Sequence, residues 1–272
     1  MAGQFENKTV VITGASAGVG AACARAFASR GANLVLVARG QAALNKIDEE
    51  LSAVTQVLTK VMDVSDDDAC ANLLDAARAT FGSIDILVNN AGAHMRGDVA
   101  SMQARDTATM VEINLRAPLL LSAMVLPHML EVGSGAIVMV GSLAGRTPVQ
   151  GAATYAATKA GLRAFAYSLA DELSTSGIHV GVVSPGPIDT GFIMDEIDEV
   201  EDIVFSQPMS SAEQVADAIL AIAAGEAVEI CLPKISGRMT TLSYLFPGMR
   251  RRMLPWLNKM GRKNKEKYRN RD

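Results

Sequence analysis

Seven short, almost wholly apolar runs recur along this chain, separated by longer alanine-rich stretches with helical patterning. The runs are TVVIT (9–13), NLVLVA (33–38), VLTKVMD (57–63), DILVN (85–89), AIVMVG (136–141), HVGVVS (179–184) and VEICLP (228–233). A run without polar alternation suits a strand covered on both faces, the situation inside a parallel sheet. Parallel neighbours need a crossover, usually a helix. Helical patterns fall at 18–30, 66–80, 103–131, 154–175 and 211–224. This alternation predicts an α/β fold, a doubly wound seven-stranded parallel sheet with helices on both faces. No repeat or low-complexity linker interrupts it, so we read residues 1–237 as one domain and 238–272 as an extension.

With 272 residues, 49% of them hydrophobic and 20% charged, the chain can bury a large core. Cys23, Cys70 and Cys231 are scattered, with no metal-ligand spacing, which fits buried thiols in a reducing compartment. The start, MAGQFENKTVVITG, lacks the basic region and apolar run of a secretory signal. The apolar run around PLLLSAMVLP is too short to span a bilayer, so the default placement is cytoplasmic. The net charge of −4 hides an asymmetry: from Arg238 onward there are eleven Lys or Arg and two acids. The body is acidic and the tail strongly basic.

The first strand leads into TGASAGVGAACARAF, a strand–turn–helix in which Gly14, Gly18 and Gly20 permit a sharp turn. Such a Rossmann-type turn brings backbone close to a pyrophosphate at the positive end of a helix dipole. The spacing is G-x3-G-x-G, and a purely structural turn is the competing reading. A carboxylate usually ends the second strand where NAD is selected, holding the ribose 2′-hydroxyl. Here Ala38 and Arg39 stand instead, and a guanidinium suits a 2′-phosphate through forked, charge-assisted bonds. NADP(H) is therefore the expected cofactor, with NAD(H) the alternative and a solvated Arg39 the bland reading. Asp63 and Val64 end the third strand and could border an adenine; Asp63 could equally cap the next helix.

NNAG (89–92) follows the fourth strand, EINLRAP places Asn114 within an apolar helix, and Ser142 ends the fifth strand. Tyr155 and Lys159 lie four residues apart on one helix face, within reach of a common point. SPGPIDTGF follows the sixth strand. This ordered set, over roughly residues 5 to 233, resembles the short-chain dehydrogenase/reductase family. The resemblance implies that Tyr155 is the general acid/base, Lys159 its electrostatic partner, Ser142 the carbonyl-orienting hydroxyl and Asn114 the anchor of a proton-relay water. It also implies a cofactor site including Gly14, Ser16, Gly18, Val19 and Gly20, with Asn90, Ala91, Gly92, Pro185 and Gly186. Lys159 would bond the nicotinamide ribose, and Ile188 and Thr190 would contact the carboxamide.

A free phenol with a pKa of about 10 is a poor base near neutrality. A nearby ammonium and the positive charge of an oxidised nicotinamide both favour phenolate. The expected chemistry is hydride transfer between nicotinamide and a carbonyl or secondary alcohol, with Tyr155 moving the proton. The alternatives are an NAD-dependent alcohol dehydrogenase of the same fold, a cofactor-binding scaffold of low turnover, and a membrane-surface protein.

The substrate lid is expected between Thr190 and Ser210. Phe192, Ile193, Met194, Ile197, Val204, Phe205 and Met209 either close over an apolar substrate or simply pack. Asp195, Glu196, Asp198, Glu199, Glu201 and Asp202 read as a solvated face or as a rim that repels polyanions. A hydrophobic ketone is the better expectation. His94 and Met95 could line the pocket. In the tail, Pro247 and Pro255 are expected to start two short helices. Met249, Met253, Leu254, Leu257 and Met260 recur at helical spacing among Arg250, Arg251, Arg252 and Lys259, with Trp256 between. Either TTLSYLF and these apolar residues pack on the body or a neighbouring subunit of a dimer or tetramer, or the extension lies on a membrane surface. No nucleic-acid partner is expected.

Overall fold

The computed structural model describes residues 3–270; Arg271 and Asp272, counted with the tail above, lie outside them. Seven parallel strands form one sheet in the order β3-β2-β1-β4-β5-β6-β7. They are β1 (Thr9–Thr13), β2 (Asn33–Ala38), β3 (Val57–Val61), β4 (Ile86–Asn89), β5 (Gly135–Val140), β6 (Ile178–Pro185) and β7 (Glu229–Leu232). Each expected run forms a strand, within one or two residues at its ends. One core face packs Val10, Ile12, Leu34, Leu36 and Val138 under helices α1 (Gly18–Ala28) and α8 (Ala212–Ala223). The opposite face packs Val11, Val35, Leu87, Ile137 and Val182 under helices α3 (Asp67–Phe81), α5 (Ala117–Val132) and α6 (Ala153–Glu172). Edge strand β3 is only half-buried, and Val61 is exposed.

Helix α2 (Gln41–Leu51) was not among the expected helices: it buries only Leu44, Ile47 and Leu51, a thin stripe in a polar sequence. The stretch expected as one helix over 103–131 is α4 (Ala104–Val111), a π-helical segment (Glu112–Arg116) and α5. Taken together, 104–132 is long and apolar enough to cross a bilayer, which the shorter run PLLLSAMVLP does not suggest. Its apolar side belongs to the core instead: Ile113, Ala117, Leu121, Val125 and Met129 all pack against the sheet.

After β7 the chain continues as α9 (Lys234–Leu245) and α10 (Pro247–Arg269). Pro247 starts α10 as expected, but Pro255 lies inside it rather than starting another helix. Pro255 and Arg251 are both exposed, so water can meet the carbonyl that proline leaves without a helical donor. The packing also departs from expectation. Leu242, Tyr244, Leu245 and Phe246, within TTLSYLF, are exposed, while the basic end of α10 lies against the acidic lid.

Candidate active site

Strand order reverses between β1 and β4, so the loops leaving these strands diverge and open a crevice at the sheet's carboxyl edge. The glycine turn lies there. A β-carbon on Gly20 would fall 2.1 Å from the Gly14 carbonyl oxygen, so only glycine lets α1 start this close beneath the turn. Ala17 precedes α1 and cannot cap it, leaving the first N–H groups of the helix available to an anion. Asn90 ties this turn to β4. Its Nδ2 donates to the carbonyls of Thr13 (2.8 Å) and Gly14 (3.1 Å), and its N–H donates to Thr13 Oγ1. The cradle has the donors and the room that a pyrophosphate needs.

Arg39 is exposed at the end of β2 and has no hydrogen bond or ion pair among the described residues. Asp63 accepts bonds from the Ser65 N–H (2.9 Å) and hydroxyl (2.8 Å). These bonds, with a contribution from the Arg39 charge, hold its carboxyl below the usual range. Asp63 caps no helix: Asp66 does so for α3, accepting from the Ala69 N–H. Val64 is buried beside it.

Ser142 follows β5, and its Oγ accepts from the Ala144 N–H at 3.1 Å. Tyr155 and Lys159 are one turn apart near the start of α6. Lys159 is buried with its Nζ donating to the Val140 carbonyl at 2.8 Å, and burial pushes its pKa down to about 8. The phenol behaves otherwise than expected. Burial pushes Tyr155 above its ordinary value, opposed by the Ser142 hydroxyl and then by Arg96. Lys159 Nζ lies 5.7 Å from the Tyr155 ring centroid. Protein groups alone therefore do not supply the depressed phenol that the sequence suggests.

Asn114 is fully buried in the π-helical segment, and its amide does have partners. Oδ1 accepts from the Ala93 N–H and Nδ2 donates to the Ala93 carbonyl, both at 2.8 Å. The side chain thus pins the loop after NNAG. Gly92 keeps this corner open: a β-carbon there would lie 3.3 Å from Asn114 Oδ1 and 3.7 Å from Lys159 Nζ.

One cleft of about 840 Å³ joins these parts. Gly14, Gly18, Val19 and Gly20 form one end, with Asn90, Ala91 and Gly92 beside them. Ser142, Tyr155 and Lys159 line the middle, and Pro185, Gly186, Ile188 and Thr190 the opposite side. Ser16, Arg39, Asp63, Val64 and Asn114 are not part of its wall. His94 lines it and Met95 does not. The lid divides between the two readings offered for it. Phe192, on the short helix α7 (Gly191–Met194), lines the cleft, Phe205 is fully buried in a small cluster with Val200, Met194, Ile197 and Met209, and Ile193 and Val204 do both.

Two parts of the wall were missed in the sequence. Arg96 joins the lid to the cleft, its Nε donating to Glu196 (3.0 Å) and its Nη2 to the Phe192 carbonyl (2.9 Å). Helix α10 supplies an outer wall of Met249, Met253, Leu257 and Met260, together with Arg250, whose Nε is buried without a hydrogen-bond partner among the described residues. Three of the six lid acids are not simply solvated. Glu196 pairs with Arg96, Asp198 with Arg269, and Asp202 with Arg262 and Lys265. No signal in the sequence pairs charges about 60 to 100 positions apart.

Residues 8–201 match the family model for short chain dehydrogenase. The chain belongs to this family. It is 35% identical over 230 residues to the Escherichia coli 3-oxoacyl-[acyl-carrier-protein] reductase FabG, covering 83% of this chain and 93% of that one. It is 38% identical over 187 residues to sulfoacetaldehyde reductase 2 of Chromohalobacter salexigens, covering 68% and 74% respectively. Among solved structures, levodione reductase superposes with a TM-score of 0.78 at 27% identity, over 87% of this chain and 99% of that one. A metagenomic short-chain oxidoreductase in complex with NADP gives 0.71 at 30% identity, over 84% and 97%. As a short-chain dehydrogenase, the protein is an NAD(P)-dependent oxidoreductase acting on CH–OH or C=O groups.

Proposed function

We propose that this enzyme is an NADP(H)-dependent reductase of hydrophobic ketones, with Tyr155 as the proton donor. The observation that carries the reading is one cleft that joins Ser142, Tyr155 and Lys159 to an apolar outer wall of lid and α10 side chains. The nicotinamide, when bound, supplies or accepts the hydride. In reduction, the phenol of Tyr155 gives its proton to the carbonyl oxygen, and the Ser142 hydroxyl orients that oxygen. Burial keeps the phenol protonated, which suits a donor. Lys159 is held by the Val140 carbonyl, and there its ammonium would offset the phenolate left behind and bond the nicotinamide ribose. Ile188 and Thr190, on the cleft wall, would contact the carboxamide. Asn114 acts through the π-helical segment, which displaces backbone carbonyls from regular helical pairing, to hold a relay water behind Lys159.

Arg39 supports NADP(H): it is an unpaired guanidinium at the strand end where a carboxylate would select NAD. The NADP complex of the metagenomic relative agrees, and three of the proteins named above are called reductases. The test is Tyr155→Phe in a screen of ketones with NADPH. The variant should keep its fold and nucleotide binding and lose about 10²- to 10⁴-fold in turnover. Unchanged reduction would remove Tyr155 from the chemistry.

The extension favours a second element of function, peripheral contact with an anionic membrane. Ile235, Tyr244, Leu245 and Trp256 are 58–71% exposed on α9 and α10. Arg238, Arg251, Arg252 and Lys259 on the same helices are exposed and without an ion pair among the described residues. Exposed apolar residues with unpaired cations fit an anionic bilayer interface, each cation near it contributing about 1 kcal/mol. Co-sedimentation with anionic vesicles at low salt should retain the full chain; failure to bind, with a dimer or tetramer in solution, would make this face a subunit contact.

A further inference from the structure

Helices α9 and α10 each carry an apolar stripe at three- and four-residue spacing, which places its members on one helix face. On α9 the stripe is Ile235, Met239 and Leu242, and on α10 it is Met249, Met253, Trp256 and Met260. All of these line the cleft that holds Tyr155. Yet Ile235, Met239, Leu242, Met249 and Trp256 are also 38–71% exposed. The hydroxyls of α9 are taken up by the body: Arg146 donates to Thr240 and Thr241, and Ser243 bonds with Thr147 at 3.1 Å. The cleft therefore opens through an apolar rim that continues onto the surface, where Tyr244, Leu245 and Phe246 extend it. Contiguous exposed apolar surface of this kind marks a contact face.

Charge indicates what covers it. Arg238, Arg251, Arg252 and Lys259 adjoin the stripes, are exposed, and have no ion pair among the described residues. No Asp or Glu occurs from Lys234 to Lys265. A second copy of the same face would set these cations against one another. An anionic bilayer instead offers an apolar interior together with a matching charge. The lid acids that line the cleft, Asp195, Glu199 and Glu201, are repelled by such a surface, which leaves α9 and the first turns of α10 to meet it.

We infer that the cleft takes its substrate directly from an anionic bilayer. The substrate is then an uncharged lipophilic carbonyl compound dissolved in the membrane, passing from the acyl-chain region over the rim of α9 and α10 to Tyr155 without crossing water. The docking face and the mouth of the active site are one surface, which surface contact alone does not require. This deepens the reductase reading and rests on it. Trp256 stands at this rim and is the only tryptophan in the chain, so its fluorescence reports on the mouth itself.

The test uses the full chain with NADPH and vesicles of phosphatidylcholine, alone or mixed with phosphatidylglycerol. Each holds the same mole fraction of an uncharged long-chain ketone. Such a ketone has nearly the same free concentration beside either vesicle, so a difference in rate reports docking rather than supply. Reduction should be faster on the anionic vesicles by about tenfold or more. Arg251→Glu/Arg252→Glu, outside the cleft wall, should remove this advantage. The ratio of its rates on the vesicle-held ketone and on a short water-soluble ketone should fall by about tenfold relative to wild type. Trp256 emission should shift to the blue on anionic vesicles and be quenched by lipids brominated on the acyl chain. Equal rates on the two vesicles overturn the inference, as does an advantage that survives in Arg251→Glu/Arg252→Glu. An unquenched Trp256 also overturns it, and in a dimer would make this face a subunit contact. A quenched Trp256 with no reduction of either ketone would instead reject the reductase reading.

Discussion

Gly261 of α10 rests directly on the backbone of Asp202: a β-carbon there would fall 1.8 Å from the Asp202 carbonyl oxygen and 2.6 Å from its carbon. Around this contact Asn264 Nδ2 donates to the Phe205 carbonyl at 3.0 Å, and buried Lys265 donates to the carbonyls of Val200 (2.6 Å) and Asp198 (3.1 Å). The extension is thus seated on the lid by backbone contact and by hydrogen bonds, not by charge alone. Gly261→Val must lift α10 from the lid, since overpacking a tight contact costs about 1–3 kcal/mol. The expected result is roughly a tenfold rise in KM for a long-chain ketone, with NADPH affinity nearly unchanged. An unaltered KM would mean that α10 is not a wall of the substrate cleft.

Nucleotide choice is predicted to follow Arg39. Losing one charge-assisted contact to the 2′-phosphate is worth about 1.5–3 kcal/mol. Ala38→Asp/Arg39→Leu should therefore weaken NADPH binding by roughly 10- to 100-fold and improve NADH binding, as read by fluorescence titration without substrate. A wild type that prefers NADH would refute the assignment.

Lys159 gives a prediction with a fixed sign. Burial lowers its pKa from 10.5 to about 8 in the folded protein. Between about pH 8 and 10.5 the unfolded chain binds the proton that the native protein has released, so stability gains from this residue as pH rises through that window. Lys159→Met should flatten the rise in denaturant-unfolding free energy between pH 8 and 10.5 relative to wild type. Identical pH profiles would show that the ammonium is not strained by its burial. The same variant should lose most of its activity.

The sheet was legible because burial on both faces leaves apolar runs such as NLVLVA that no surface element requires. The glycine turn and the Tyr155–Lys159 pair were legible because each depends on local spacing. Other features were not. Helix α2 was hidden because three buried residues make too thin a stripe in a polar sequence. The ring of His94, in the loop after β4, lies on Tyr155 of α6, and Arg96 reaches residue 196; neither contact has a periodicity to betray it. The six lid acids read as a solvated face or a rim because the cations that pair with Glu196, Asp198 and Asp202 lie in distant segments, three of those cations on α10. Tyr155 shows the same limit in its energetics. An i,i+4 lysine implies a lowered phenol, but the depth of the cleft, which raises it, exists only after folding.

Glu229, on edge strand β7, carries the last prediction. Its carboxylate is nearly buried, with 7% of the side chain exposed, and it accepts from Arg163 (2.8 Å), Ser184 (2.7 Å), Tyr167 (2.9 Å) and Arg146. Burial pushes its pKa up, but the bonds from Arg163, Ser184, Arg146 and Tyr167 outweigh burial and hold it at about 2. Arg146 also donates to Thr241 Oγ1 and the Gly237 carbonyl on α9, so one carboxylate joins β6, α6 and β7 to the start of the extension. A depressed carboxyl contributes stability that is complete above its unfolded value and is lost as pH falls through its folded one. A fall from 4.5 to about 2 corresponds to roughly 3 kcal/mol, lost between about pH 4.5 and pH 2. Glu229→Gln should therefore destabilise the protein by at least this amount at pH 7, because Arg146 and Arg163 lose their shared partner. It should also shrink the loss of stability on acidification over that window. Denaturant unfolding of both proteins at pH 7 and at intervals down to the lowest pH where the wild type still folds measures both effects. Parallel curves would show that this network is worth no more than an exposed ion pair.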